Sequence, residues 1–98
     1  MLFIVQFEDK PDVAEKRQEL FASHKEFLDR SKDKVLVPGS LREVPSDKPL
    51  GGLWIVEADD EQGVRDIFKD DPFWTEGLRA SVRINRWHKA FPDRKVLI

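Results

Sequence analysis

The sequence predicts a single α+β domain with the element order β-α-β-β-α-β, the ferredoxin-like split βαβ arrangement. Three observations carry that expectation. Strand patterning occupies residues 1–7, 34–44, 51–58 and 81–87. Apolar residues at spacings of three and four run through residues 12–30 and return at Val64, Ile67 and Phe68. Turn chemistry falls between these stretches, at Lys10-Pro11-Asp12, Pro45-Ser46-Asp47-Lys48-Pro49 and Asp71-Pro72.

In the first strand Phe3, Val5 and Phe7 share one face, while Leu2 and Ile4 share the other, so both faces are apolar. Lys10-Pro11-Asp12 breaks it and suits a helix start, with Pro11 in the first turn and Asp12 against the positive end of the helix dipole. The helix places Val13, Arg17, Leu20, Phe21, His24, Phe27 and Leu28 on one stripe. The second strand carries Val35, Val37 and Leu41 but is interrupted by Pro38-Gly39, which predicts an edge position or a bulge. It forms a hairpin with the third strand, GGLWIVEA, whose Trp54 is expected in a sheet-to-sheet interface. Asp59 with Gln62 resembles a capping box opening the second helix. Asp71-Pro72 ends or kinks that helix, residues 73–78 add a turn, and the last strand turns Val82 and Ile84 to one face. Residues 88–98 form a tail that either pairs with a partner or frays.

The chain has 98 residues, 40% of them hydrophobic and 37% charged, which suits one domain with one core. Two helices cover only one face of four strands. The apolar second face of residues 1–7 therefore predicts a homodimer burying two sheets face to face. There is no cysteine, which excludes disulfides and thiolate metal sites and makes a cytoplasmic location the expectation. Seventeen basic against nineteen acidic residues leave a net charge of −2, giving no footprint for nucleic acid and no basic face for a membrane.

His24 is one of two histidines and lies on the apolar stripe. Two roles are open for it: a satisfied core residue, or an acid–base group if a carboxylate reaches it. Asp71 stands where the end of the second helix approaches the first. An aspartate there would orient the imidazole and fix its tautomer; alternatively it serves only the backbone before Pro72. Around such a pair Phe73 and Trp74 form either an apolar wall or core. Ser40 offers a hydroxyl, and Arg17 or Arg42 a charge for an anionic substrate, with Arg17 alternatively a solvated stem along the stripe.

The segments His24-Lys25-Glu26-Phe27-Leu28, Pro38-Gly39-Ser40-Leu41, Gly52 with Val56-Glu57-Ala58-Asp59, Asp71-Pro72-Phe73 with Gly77-Leu78, and the strand ending at Trp87 resemble the YciI-like (YCII-related) family. The resemblance covers nearly the whole chain. It implies a dimeric α+β barrel, with His24 and Asp71 matching the family's histidine and aspartate. It further implies elimination or related acid–base chemistry on small ring compounds, a reaction linked to a few members. Lys25 replaces a common leucine, and Arg42 with Glu43 adds charge, so substrate preference does not carry over.

Other chemistries lack their parts. No HxH or HExxH spacing supports a metal, Ser23 points about 100° away from His24 on a helix, and neither GxGxxG nor GxxxxGK is present. An RNA-binding module of the same element order lacks its basic and aromatic signature. Two functions stand: a cofactor-free enzyme using His24 and Asp71 for elimination or isomerisation of an unidentified small molecule, or a non-catalytic dimer of the same fold that binds a small ligand or assembles.

Overall fold

A computed structural model describes the whole chain, Met1–Ile98. The elements are β1 (Leu2–Asp9), α1 (Ala14–Arg30), β2 (Val35–Arg42), β3 (Pro49–Glu57), α2 (Glu61–Phe68), α3 (Pro72–Thr75) and β4 (Arg79–Trp87). The four strands form one sheet in the order β2-β3-β1-β4, every pair antiparallel, which is the expected ferredoxin-like α+β arrangement. β2 is an edge strand as Pro38 requires, and its register shifts between Val35 and Val37.

Alternation along β1 sends Phe3, Val5 and Phe7 into the core beneath the helices, where Phe27, Val56, Val64 and Phe68 meet them. Trp54 corrects the expectation that it faces another sheet. Register pairs it with Val5, so it lies on the helix side, 1% exposed, with Leu53 and Ile55 on the open face. Its ring lies 4.8 Å from that of Phe7 and 6.2 Å from that of Phe27. Burying an indole removes about 150–250 Å² from water, a gross gain of roughly 4–6 kcal/mol, and the helix side is where that area can be covered.

Three boundaries move for local reasons. Asp12 adopts a left-handed conformation, φ 58°, so Pro11 and Asp12 form a turn; α1 begins at Ala14, with Glu15 in its first turn. The cap of α2 is Asp60, which accepts from the Gly63 N–H at 2.8 Å, while Gln62 donates forward to Asp66 at 3.0 Å. No capping box closes at Asp59. Asp71 both follows α2 and caps the short α3, whose end is turned by Gly77 at φ 73°. The Leu78 N–H then bonds to the Phe73 carbonyl at 3.1 Å, and β4 starts at Arg79, two residues before the expected Ser81. Residues 88–98 carry no helix or strand. No helix is long and apolar enough to cross a membrane.

Candidate active site

α1 presents His24 to the protein interior because it lies one turn from Phe27, and both are buried. α3 packs against α1 and brings Asp71 to the edge of the ring. His24 Nδ1 lies 2.7 Å from Asp71 Oδ1, across 47 positions of sequence. The same oxygen accepts the Phe73 N–H at 3.1 Å. Asp71 therefore fills both roles open to it, helix cap and imidazole partner. With a carboxylate accepting from Nδ1–H, the neutral ring carries its lone pair on Nε2, which has no protein hydrogen-bond partner. Phe73 stacks flat on the imidazole, centroids 3.8 Å apart and planes at 7°. Asp71 is wholly buried, and its Oδ2 finds no partner in the protein.

Next to this pair lies an ionic cluster that the sequence pattern conceals. Asp9 holds two arginines, Arg79 Nη1 on Oδ1 at 2.7 Å and Arg17 Nη1 on Oδ2. The guanidinium carbons of Arg17 and Arg79 stand 5.2 and 5.0 Å from the Phe73 ring centre, and Arg79 also lies 4.6 Å from that of Phe7. Strict alternation from Ile84 and Val82 would turn Ala80 inward and Arg79 outward. The register instead shifts: Glu8 pairs with Ser81 and Asp9 with Arg79, so Ala80 is the extra residue and Arg79 enters the interior. A bulge of this kind leaves no signature in residue type. Burial pushes the Arg79 guanidinium below its ordinary value, while its hydrogen bond and charge attraction to Asp9 oppose the shift.

Between α1 and β2 opens a cavity of about 290 Å³ whose lining includes Arg17, His24, Pro38, Ser40, Trp54 and Arg79. Of the residues singled out from sequence, His24, Ser40 and Arg17 meet there. Phe73 supports the imidazole from beneath and is fully buried. Trp74 corrects the expected wall: its partly buried ring packs against the core, 4.7 Å from Phe68 and 6.4 Å from Phe7, because α3 turns that side chain toward the sheet. Arg42 lies outside, bonded to Ser40 Oγ at 3.3 Å and paired with Asp47 at 3.5 Å. The cavity lining carries Arg17, His24, Lys25 and Arg79 and no carboxylate, both aspartates standing behind it. A larger hollow of about 500 Å³ opens by Gln6, Glu8, Leu41 and Arg83, but no imidazole reaches it. Of the two, the smaller cavity is the one that an imidazole lines.

A ferredoxin-like domain with a buried histidine–aspartate pair opening on a cationic cavity is the class that fold and geometry define. The chain belongs to the YCII-related domain family, whose model matches residues 1–88 and stops where the tail begins. Among solved structures it is similar to 5-chloro-2-hydroxyhydroquinone dehydrochlorinase (TftG) from Burkholderia phenoliruptrix AC1100, in complex with 2,5-dihydroxybenzoquinone. The two share 28% identity at a TM-score of 0.79, over 90% of this chain and 94% of that one. No curated protein matches. Family and neighbour together support an enzyme.

Proposed function

We propose that this chain is a cofactor-independent enzyme that moves a proton on a small ring compound, leading to elimination or isomerisation. The observation that carries this is the His24–Asp71 contact of 2.7 Å on an imidazole that lines a cavity. Nε2 takes a proton from an O–H or C–H of the bound ring. In elimination, the electron pair released expels a leaving group through the ring, and the proton passes from His24 to solvent. In isomerisation the same proton returns at another atom. Asp71 positions the ring throughout and balances the charge that His24 gains, while the proton transfer by His24 contributes about 10²–10⁴ in rate, as for a well-placed acid–base group. A cavity of about 150 Å³ is enough to take up benzene, so one of about 290 Å³ suits a single substituted ring.

The neighbour's named reaction, loss of hydrogen chloride from a chlorinated hydroxyhydroquinone, supplies the first substrate to try. Chloride release from 5-chloro-2-hydroxyhydroquinone is expected from the wild type. It is expected to fall by about 10²-fold or more in His24→Ala and Asp71→Asn while circular dichroism stays unchanged. Full turnover by both folded variants overturns the assignment; binding of the ring without turnover by the wild type favours a non-catalytic ligand-binding dimer.

The functional form in this proposal is a cytoplasmic homodimer. Leu2, Ile4, Leu53 and Ile55 lie half-buried on the sheet face away from the helices, with Val37 42% exposed beside them. A second copy of the same face covers them, with the tail from residue 88 onward lying against the partner. Light scattering is expected to give twice the chain mass, and Ile4→Asp to give a monomer; a monomeric wild type at micromolar concentration removes the dimer.

A further inference from the structure

One cation in the cavity has no part in the His24–Asp71 chemistry. Arg79 has a side chain 2% exposed, yet of the five N–H groups a guanidinium offers, the protein accepts one, at Asp9 Oδ1. Its Nε is buried without a partner. Holding Asp9 does not explain this arrangement, because Arg17 already occupies the other oxygen of that carboxylate. The rest of the guanidinium crosses the sheet to β3. A Cβ built on Gly52 would lie 3.1 Å from Arg79 Nη2 and 3.2 Å from the Gly39 carbonyl oxygen, tighter than nine in ten real Cβ contacts, so the neighbours would have to give way. Gly52 is thus the residue that leaves room for the cation over the sheet, at the cavity that His24 also lines.

We propose that Arg79 is the anion anchor of this cavity, its Nη2 binding an ionised oxygen carried by the substrate ring while Gly52 keeps the space that Nη2 needs. The proposal rests on the acid–base assignment and narrows its substrate class to small planar rings bearing an enolate or phenolate oxygen. A guanidinium buried with free donors binds such an oxygen through charge-assisted hydrogen bonds, without having to shed bulk water first. It also holds the ring at a fixed distance from Nε2 of His24, so that proton transfer and charge stabilisation act on opposite parts of one molecule. Arg17, the cation that residue spacing suggests for this task, is engaged by Asp9 and serves the anchor by neutralising that carboxylate, which leaves the Arg79 charge available to the ligand.

Calorimetry at neutral pH with two probes of similar ring size tests this: 2,5-dihydroxybenzoquinone, whose hydroxyls are vinylogous acids and are already ionised there, and uncharged hydroquinone. The wild type is expected to bind the anion at least about tenfold more tightly. Gly52→Ala, which keeps the charge and displaces it, and Arg79→Gln are each expected to lose about tenfold on the anion and little on hydroquinone. Arg79→Lys is expected to recover part of the loss. Arg42→Gln, whose charge lies outside the cavity, is expected to change neither. Should Arg79→Gln fail to fold, Gly52→Ala and Arg79→Lys carry the test. Anion binding by Gly52→Ala equal to wild type, or a wild type that binds the anion no better than hydroquinone, overturns the anchor. The acid–base assignment fails separately, through full turnover in His24→Ala, which leaves the ratio of the two affinities untouched.

Discussion

At one end of the helix–sheet interface Phe3, Val5, Phe27, Val56, Val64 and Phe68 pack together; at the other, Asp9, Arg17, His24, Asp71 and Arg79 gather around Phe73. Val5 and Asp71 are both fully buried, so water access does not distinguish the two ends. What differs is how completely each end is satisfied. The apolar end has no polar side-chain atom left over, whereas the charged end holds the only two buried side-chain atoms without partners, Asp71 Oδ2 and Arg79 Nε. Buried charges add little net stability even when well paired, and unpaired donors and acceptors subtract from it. The apolar end holds the fold together; the charged end draws on that stability to keep its buried polar groups in place.

Substitutions at matched burial can break this contrast. Phe68→Ala, which opens a hole between Phe7 and Trp74, is expected to destabilise by about 3–5 kcal/mol, read as a fall of roughly 15–30 °C in melting temperature. A loss of only a few degrees would mean that the apolar end is not where stability resides. Asp9→Asn leaves two arginines without their counter-charge and is expected to cost about 3 kcal/mol by urea titration, the penalty of stranding a buried charge. Capping loss is smaller: Asp60→Ala removes the bond to the Gly63 N–H and is expected to cost about 1 kcal/mol. Asp71→Asn sharpens the contrast, because it removes a buried charge while keeping an acceptor for the Phe73 N–H. Its melting temperature is expected within a few degrees of wild type, and a fall as large as that of Phe68→Ala would show Asp71 to be structural.

The smallest effect concerns pH. Arg79 is pushed below its ordinary value in the folded chain, so folding disfavours its charged form, and that cost is present wherever the group is protonated in both states. It is relieved only as pH rises past the lowered folded value toward the unfolded one, a window in the strongly alkaline range. Between about pH 6 and about pH 9, therefore, wild type and Arg79→Gln are expected to show parallel curves of unfolding free energy against pH. Curves that converge within that range would show the guanidinium losing its proton there.

The element order was legible because periods of two and of three to four survive in any well-packed α+β domain, Pro45 and Pro72 fall between elements or at the start of one, and Pro38 lies within an edge strand. His24 and Asp71 were legible as a pair because each stands at a position fixed by helix geometry, one on a stripe and one at a helix end. Arg79 and Asp9 were not, since the register shift that turns Arg79 inward depends on how two strands meet and not on either strand alone. Trp54 failed for a related reason: Leu53 and Ile55 are apolar too, so only pairing with Val5 decides which face is inside. Phe73 and Trp74 are adjacent and chemically alike, and a single turn of α3 sends one beneath the imidazole and the other into the core.

Asp71 Oδ1 serves two donors at once, an imidazole nitrogen and the main-chain amide of Phe73. Any change in how strongly the ring engages that oxygen must alter what remains for the amide, since both compete for the same lone-pair density. The Phe73 backbone amide is thus a native spectroscopic reporter: its proton and nitrogen resonances are expected to move when an added ring compound enters the cavity, with no label attached to His24.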